Sequence, residues 1–163
     1  MKITGLVFTV FSVSNIAWAL ENPTAKKHAE EFLARAALFQ EEIQKATPSS
    51  ELIQNEITEM LESARQILPA WAEVHTQCAA QLAKVVELYP QIDVWTPQEI
   101  RRNIEGAIAL PPAEGCYPGR DVVAHPAIVR ALVRSGSIGE QRSRLAREMD
   151  EAIEHMEEIA AEF

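Results

Sequence analysis

Apolar residues recur at steps of three and four along most of this chain, and that spacing restricts its fold more than any other feature. Ala29, Phe32, Ala36, Phe39, Ile43 and Ala46 fall on one helical stripe. A second stripe runs through Ile53, Ile57, Met60, Ala64, Ile67, Trp71, Val74, Cys78, Leu82, Val85 and Tyr89. A third joins Leu145, Met149, Ala152, Met156, Ile159 and Phe163, a coiled-coil-like seam close to the C-terminus. A half-buried strand would instead alternate every second residue. Composition agrees: the 163 residues include 24 Ala and 21 Glu but only 6 Gly, and 6% are aromatic, a balance that favours helix over sheet. The expected fold is all-α, an antiparallel helical bundle of four or five helices.

Local signals divide the stripes into helices. Asn22 can cap a helix whose first turn accepts Pro23, and Thr47-Pro48-Ser49-Ser50 separates the first stripe from the second. Pro69 lies inside the second stripe, where it removes a backbone donor and crowds the preceding turn. A kink or a break near Pro69 is therefore expected in that long second helix. Thr96-Pro97-Gln98-Glu99 has the pattern of a capping box, opening a helix that turns Ile100, Ile104, Ala107 and Ile108 inward and stops before Pro111-Pro112. Residues 111–120 read as a loop. Asp121 then caps a helix through Val122, Ile128, Ala131 and Leu132, with Pro126 in its first turns and Gly136 at its end. Ser137-Ile138-Gly139-Glu140 reads as a second capping box opening the last helix.

Residues 1–19 have a different character. Lys2 precedes an apolar run densest at residues 6–11, and the segment finishes Ala17-Trp18-Ala19, with small residues where a signal peptidase needs them. This is the layout of a signal peptide, leaving residues 20–163 as a single helical-bundle domain with no membrane span after cleavage. An uncleaved anchor is the alternative, disfavoured because Thr9, Ser12, Ser14 and Asn15 dilute the apolar run. The chain is expected to be exported, periplasmic or secreted. An oxidising compartment then favours a Cys78–Cys116 disulfide between its two cysteines.

The net charge of −9 argues against a general nucleic-acid binder, which needs a basic surface to meet phosphates. Charge is unevenly spread, at −7 over residues 20–100, +4 over 101–147 and −7 over 148–163. The middle block carries eight Arg and no Lys. Guanidinium groups there suit a phosphate or carboxylate ligand, but pairing with acidic faces of neighbouring helices is the simpler expectation.

Candidate chemistry is sparse. His75 and Cys78 lie three apart on a helix, and a Cys116 brought to Cys78 would carry His125 towards them. Two thiolates and two imidazoles suit Zn or Cu, so a metal centre of His75, Cys78, Cys116 and His125 is the alternative to the disulfide. Arg120, Asp121 and His125 form a candidate binding set in which Arg120 holds an anion and Asp121 orients His125. An enzyme built on those three residues is a second alternative, weaker than a cap, an ion pair and an ordinary polar histidine. His155 is flanked by Glu151 and Glu158 at a spacing that could hold a divalent ion, but one helix alone cannot complete a site, so His155, like His28 followed by Glu31, reads as a surface histidine. The sequence has no nucleophile elbow, Gly-rich phosphate loop or Cys-x-x-Cys-His, so no cofactor is expected. What remains is a non-enzymatic exported bundle that acts by binding, with a protein partner or a second copy of itself, stapled by Cys78–Cys116.

Overall fold

The structure, a computed structural model, describes residues 22–104, 106 and 116–163. The expected signal peptide, and Ala107 and Ile108, which were expected to face inward, lie outside the described residues. Among the described residues six α-helices pack against one another, where four or five were expected: α1 Pro23–Gln44, α2 Ser50–Val74, α3 Ala79–Leu88, α4 Pro97–Ile104, α5 Cys116–Ser135 and α6 Ile138–Ala160. Among the described residues no strand occurs, and no helix is long and apolar enough to cross a membrane.

Three of the helix starts have a local side-chain cause. The Asn22 side chain accepts a hydrogen bond from the Ala25 N–H at 3.0 Å, capping α1 ahead of Pro23. Ser49 caps α2 in the same way through the Leu52 N–H. The capping box at α4 is formed in both directions: Glu99 Oε2 accepts from the Thr96 N–H at 2.8 Å, and Thr96 Oγ1 accepts from the Glu99 N–H at 3.3 Å. The box expected at α6 is not formed, since Ser137 makes no side-chain capping bond.

Helix α2 runs on through Pro69 and ends at Val74. Pro69 forfeits a single backbone bond, while Ile67, Leu68 and Trp71 on either side of it are buried and hold the helix to the core. The chain changes direction just beyond, at His75, and a single 3-10 turn, Thr76–Cys78, leads into α3.

Residue pairings set the directions of the long helices. Arg35 meets Glu56 across α1 and α2, and Gln40 meets Asp150 across α1 and α6 while Arg142 of α6 reaches the Lys45 carbonyl. His125 meets Glu148 across α5 and α6. Each of these pairs of helices is antiparallel. Helix α2 packs in turn on α5, so the four long helices contact each other in the order α1, α2, α5, α6 and back to α1. Helices α3 and α4 lie in the connection between α2 and α5 and pack on α5.

The stripes read from sequence form the core. Phe32, Phe39, Ile43, Ile57, Ile67, Leu82, Met149 and Met156 are fully or almost fully buried in one apolar cluster that draws on all six helices. Helix α5 is the innermost: fifteen of its twenty residues are buried, so it meets protein on nearly every side.

Helix α5 also corrects the sequence reading of residues 116–120, which were expected in a loop, because it is helical from Cys116 rather than from Asp121; residues 111–115 of that expected loop lie outside the described residues. Pro118 is compatible with a first helical turn, where its missing N–H has no helical partner to lose. The Cys78–Cys116 disulfide is formed, with Cα atoms 5.3 Å apart, and fastens this end of α5 to the start of α3. Gly119 sits at a close approach between α5 and its buried neighbours. A Cβ there would lie 2.6 Å from Trp71 Cδ1 and 2.9 Å from Leu82 Cδ2, on two side chains that are themselves buried.

Gly119→Ala therefore tests the contact. Helix propensity alone would favour alanine by about 1 kcal/mol. Overpacking against Trp71 and Leu82 opposes it by roughly 1–3 kcal/mol. The expected outcome is a Tm lowered by several degrees in thermal unfolding followed by circular dichroism. An unchanged or raised Tm would mean that α5 can move off α2 at little cost.

Candidate functional site

Between Asp121 and Val129, in the most buried part of α5, only Asp121 and His125 can ionise. They are four residues apart and so share a face of the helix. The facing stretch of α6 supplies Glu148, Glu151 and His155, whose spacing of three and four also puts them on one face. Antiparallel packing brings the two sets together.

The centre of the cluster is His125, whose Nδ1 lies 3.0 Å from Glu148 Oε2 and 3.2 Å from Glu151 Oε2. Only the Glu148 contact has hydrogen-bond geometry. Glu148 is completely buried, and its other oxygen accepts from Arg101 Nη2 of α4 at 2.6 Å, with Arg147 Nη2 at 3.6 Å. Glu151 is 43% exposed at its side chain and opens the cluster towards solvent. At the other end Arg120 grips Asp121 with a two-pronged ion pair, Nε to Oδ1 at 2.6 Å and Nη2 to Oδ2 at 2.8 Å. The Arg120 guanidinium also lies 4.8 Å from the centre of the Tyr117 ring. His155 Nε2 stands 3.6 Å from Asp121 Oδ2, and its ring stacks on that of His125 with centroids 5.9 Å apart.

Burial acts on Glu148 to raise its pKa, since an ionised carboxylate is costly out of water. The hydrogen bond to His125 and the charges of Arg101 and Arg147 act the other way and prevail, so the carboxyl sits below its ordinary value. Glu148 is thus held as an anion. Asp121 and Glu148 each have an arginine against them, whereas among the described residues Glu151 has the His125 ring in ion-pair reach.

Several expectations change here. Asp121 is not a helix cap, because α5 begins five residues before it, and its oxygens engage Arg120. The residue that orients His125 is Glu148, through Nδ1. His155 is not a free surface histidine but packs against Asp121 and His125. His28 pairs with Glu31, one turn along α1, at 3.2 Å. The four-ligand set of His75, Cys78, Cys116 and His125 does not assemble as a metal centre. Both sulfurs are spent in the Cys78–Cys116 bond, leaving no thiolate to ligate. His75 lies instead against the Trp71 indole, with ring centroids 3.9 Å apart.

The arginines of the basic middle block are mostly accounted for by such partners. Arg130 pairs with Asp93 at 2.8 Å, and Arg134 donates to the carbonyls of Asp93 and Trp95, tying the connection before α4 to α5. Arg142 donates to the Lys45 carbonyl at the C-terminal end of α1, where a cation is favoured.

Sequence reasoning missed Glu148, and it weighed Glu151 only as a neighbour of His155 on the same helix. A signal for Glu148 was present: Glu148 and His155 are seven apart and each lies three residues beyond an apolar seam position, Leu145 and Ala152. That places both on the flank of the seam rather than opposite it. The chain matches no protein-family model, no curated protein and no solved structure.

Proposed function

We propose that this chain is an exported, non-enzymatic binding protein whose working centre is the ionisable cluster between α5 and α6. One observation carries this reading. Asp121 and His125 are each only 7% exposed and Glu148 is fully buried, in helices whose other inward positions are apolar. Buried ion pairs lose about as much in desolvation as they regain, and apolar replacements are often as stable or more so. Fold stability therefore gives little reason to keep charge at this place, whereas ligand binding does.

The architecture supports the same view. We read the four long helices as an up-down-up-down bundle, with α3 and α4 forming part of the crossover between α2 and α5. Bundles of this kind hold their ligands between facing helices, by side chains pointing into the core. Each carboxylate of the cluster is already engaged by an arginine or a histidine, an arrangement suited to holding charge rather than to turning over a substrate. For export, the support is the signal-like composition of residues 1–19 and a disulfide that suits an oxidising compartment.

The test is to replace the charged pair as a pair. His125→Leu combined with Glu148→Met removes both buried partners, leaving Arg101 and Glu151 with access to water. The double variant is expected to fold and to unfold in denaturant within about 1 kcal/mol of the parent, or above it. A loss of more than about 3 kcal/mol would mean that the cluster exists to hold the bundle together, and the binding reading would fail.

A further inference from the structure

We infer that the cluster takes one divalent first-row transition-metal ion, bound by His125 Nδ1, Glu148 Oε2 and Glu151 Oε2. This rests on the binding centre proposed above and names its ligand. The three atoms come from two rigid helices, and all lie within 4.8 Å of one another. The nitrogen is 3.0 and 3.2 Å from the two oxygens. Ligand atoms sharing an ion at bond lengths of about 2.0–2.2 Å stand roughly 3 Å apart in octahedral geometry and a little further apart in tetrahedral geometry.

Hydrogen bonding alone leaves this arrangement incomplete. A neutral imidazole carries at most one proton on Nδ1, yet two carboxylate oxygens face that nitrogen. The proton serves Glu148, and the Glu151 oxygen is left beside a ring nitrogen with no proton directed at it. A divalent cation in place of that proton satisfies all three atoms at once and balances the two carboxylate charges.

The surroundings fit the ion as well. Arg101 holds the second oxygen of Glu148 and so fixes the first, the kind of outer contact that orients a ligating carboxylate. Asp121 is excluded as a ligand by its two bonds to Arg120, which keeps the site to three protein atoms. Glu151 opens to water, from which the remaining coordination positions are filled. One imidazole nitrogen with two carboxylate oxygens suits Zn2+, Mn2+, Fe2+ or Co2+ better than the all-oxygen preference of Ca2+ or Mg2+.

The experiment uses disulfide-bonded protein stripped with a chelator and titrated with Zn2+ by calorimetry, and with Co2+ by visible absorption. One equivalent of each is expected to bind. Glu151→Gln, at a half-exposed position, should weaken Zn2+ binding roughly a hundredfold or more. Glu158→Gln, which removes an exposed acid of the same helix outside the triad, should leave it unchanged. Failure of both ions to bind stoichiometrically would overturn the inference, as would binding that Glu151→Gln leaves intact. A stable His125→Leu/Glu148→Met variant alongside absent metal binding would reject the ion while leaving the binding centre standing. A strongly destabilised double variant would reject the centre itself.

Discussion

Reduction of the Cys78–Cys116 bond is expected to lower the stability of this protein by about 4 kcal/mol, the figure that loop-closure entropy assigns to a crosslink of this span. The bond closes a loop of 38 residues, and opening it frees the unfolded chain far more than the folded one. The native state also depends on it locally. Cys116 is the first residue of α5, and its bond to Cys78 fastens that end to the turn before α3. Gly119, three residues on, is pressed against the buried Trp71 and Leu82, so the crosslink and this close packing lie side by side. Denaturant unfolding with and without reductant measures the effect, and a Cys78→Ser/Cys116→Ser variant should reproduce it without the reagent. Both cysteines are completely buried, so reduction under native conditions should be slow and should follow local opening rather than direct attack. If the chain is exported as proposed, protein from its own compartment should have a mass beginning at Leu20 and two hydrogens lighter than the dithiol. A loss of less than about 1 kcal/mol on reduction would show that packing around Gly119 alone secures the start of α5.

The extent to which this molecule was legible in its sequence follows a physical division. Features encoded within one turn of chain were readable: the Asn22 cap and the reciprocal Thr96–Glu99 box form as their residue types require. The apolar stripes were readable too, because burial of a helix face imposes its own period on the sequence. The start of α5 was not. Pro118 and Gly119 carry the composition of a loop, and what makes them helical is tertiary: a disulfide at Cys116 and an indole that leaves room for a hydrogen and no more at Gly119. The Ser137–Glu140 pattern shows the converse, a local motif whose capping bond does not form. The site was half legible. Asp121 and His125, four residues apart and next to Arg120, were read from the sequence as a candidate set. Glu148 looked like one of many acids on a solvated face, because periodicity locates the centre of a stripe but not which flank a neighbouring helix will cover. That flank is decided by α5 lying over it and presenting His125.

Truncation of Glu148 should be the most damaging single change in the cluster. Glu148→Ala takes away the buried acceptor of Arg101 and His125 and leaves a void at a fully buried position. Breaking a buried ion pair from one side costs about 3–5 kcal/mol. Arg101 is 40% exposed and can recover hydration, so the lower end of that range, about 3 kcal/mol, is expected here. The loss contrasts with the near-neutral effect expected for replacing His125 and Glu148 together, since a leftover polar partner, rather than the missing pair, carries most of the penalty. The pH dependence follows from the sign of the shift. Glu148 is lowered in the folded state: burial alone would raise it, but His125 with Arg101 and Arg147 outweighs that. As pH falls the unfolded chain therefore takes up the proton first. The stabilisation is complete above the ordinary carboxylate pKa of about 4.3 and is lost as pH drops through the folded value. Glu62 and Glu99 are lowered as well, by hydrogen bonds from Arg65 and from the Thr96 N–H respectively, so an acid limb persists without Glu148. Unfolding curves between pH 3 and pH 7 should show the parent losing stability on acidification more steeply than Glu148→Gln, with the two curves converging at the acid end. Parallel curves across that range would mean that the charge of Glu148 adds nothing to the fold, and that its partners bind the protonated acid equally well.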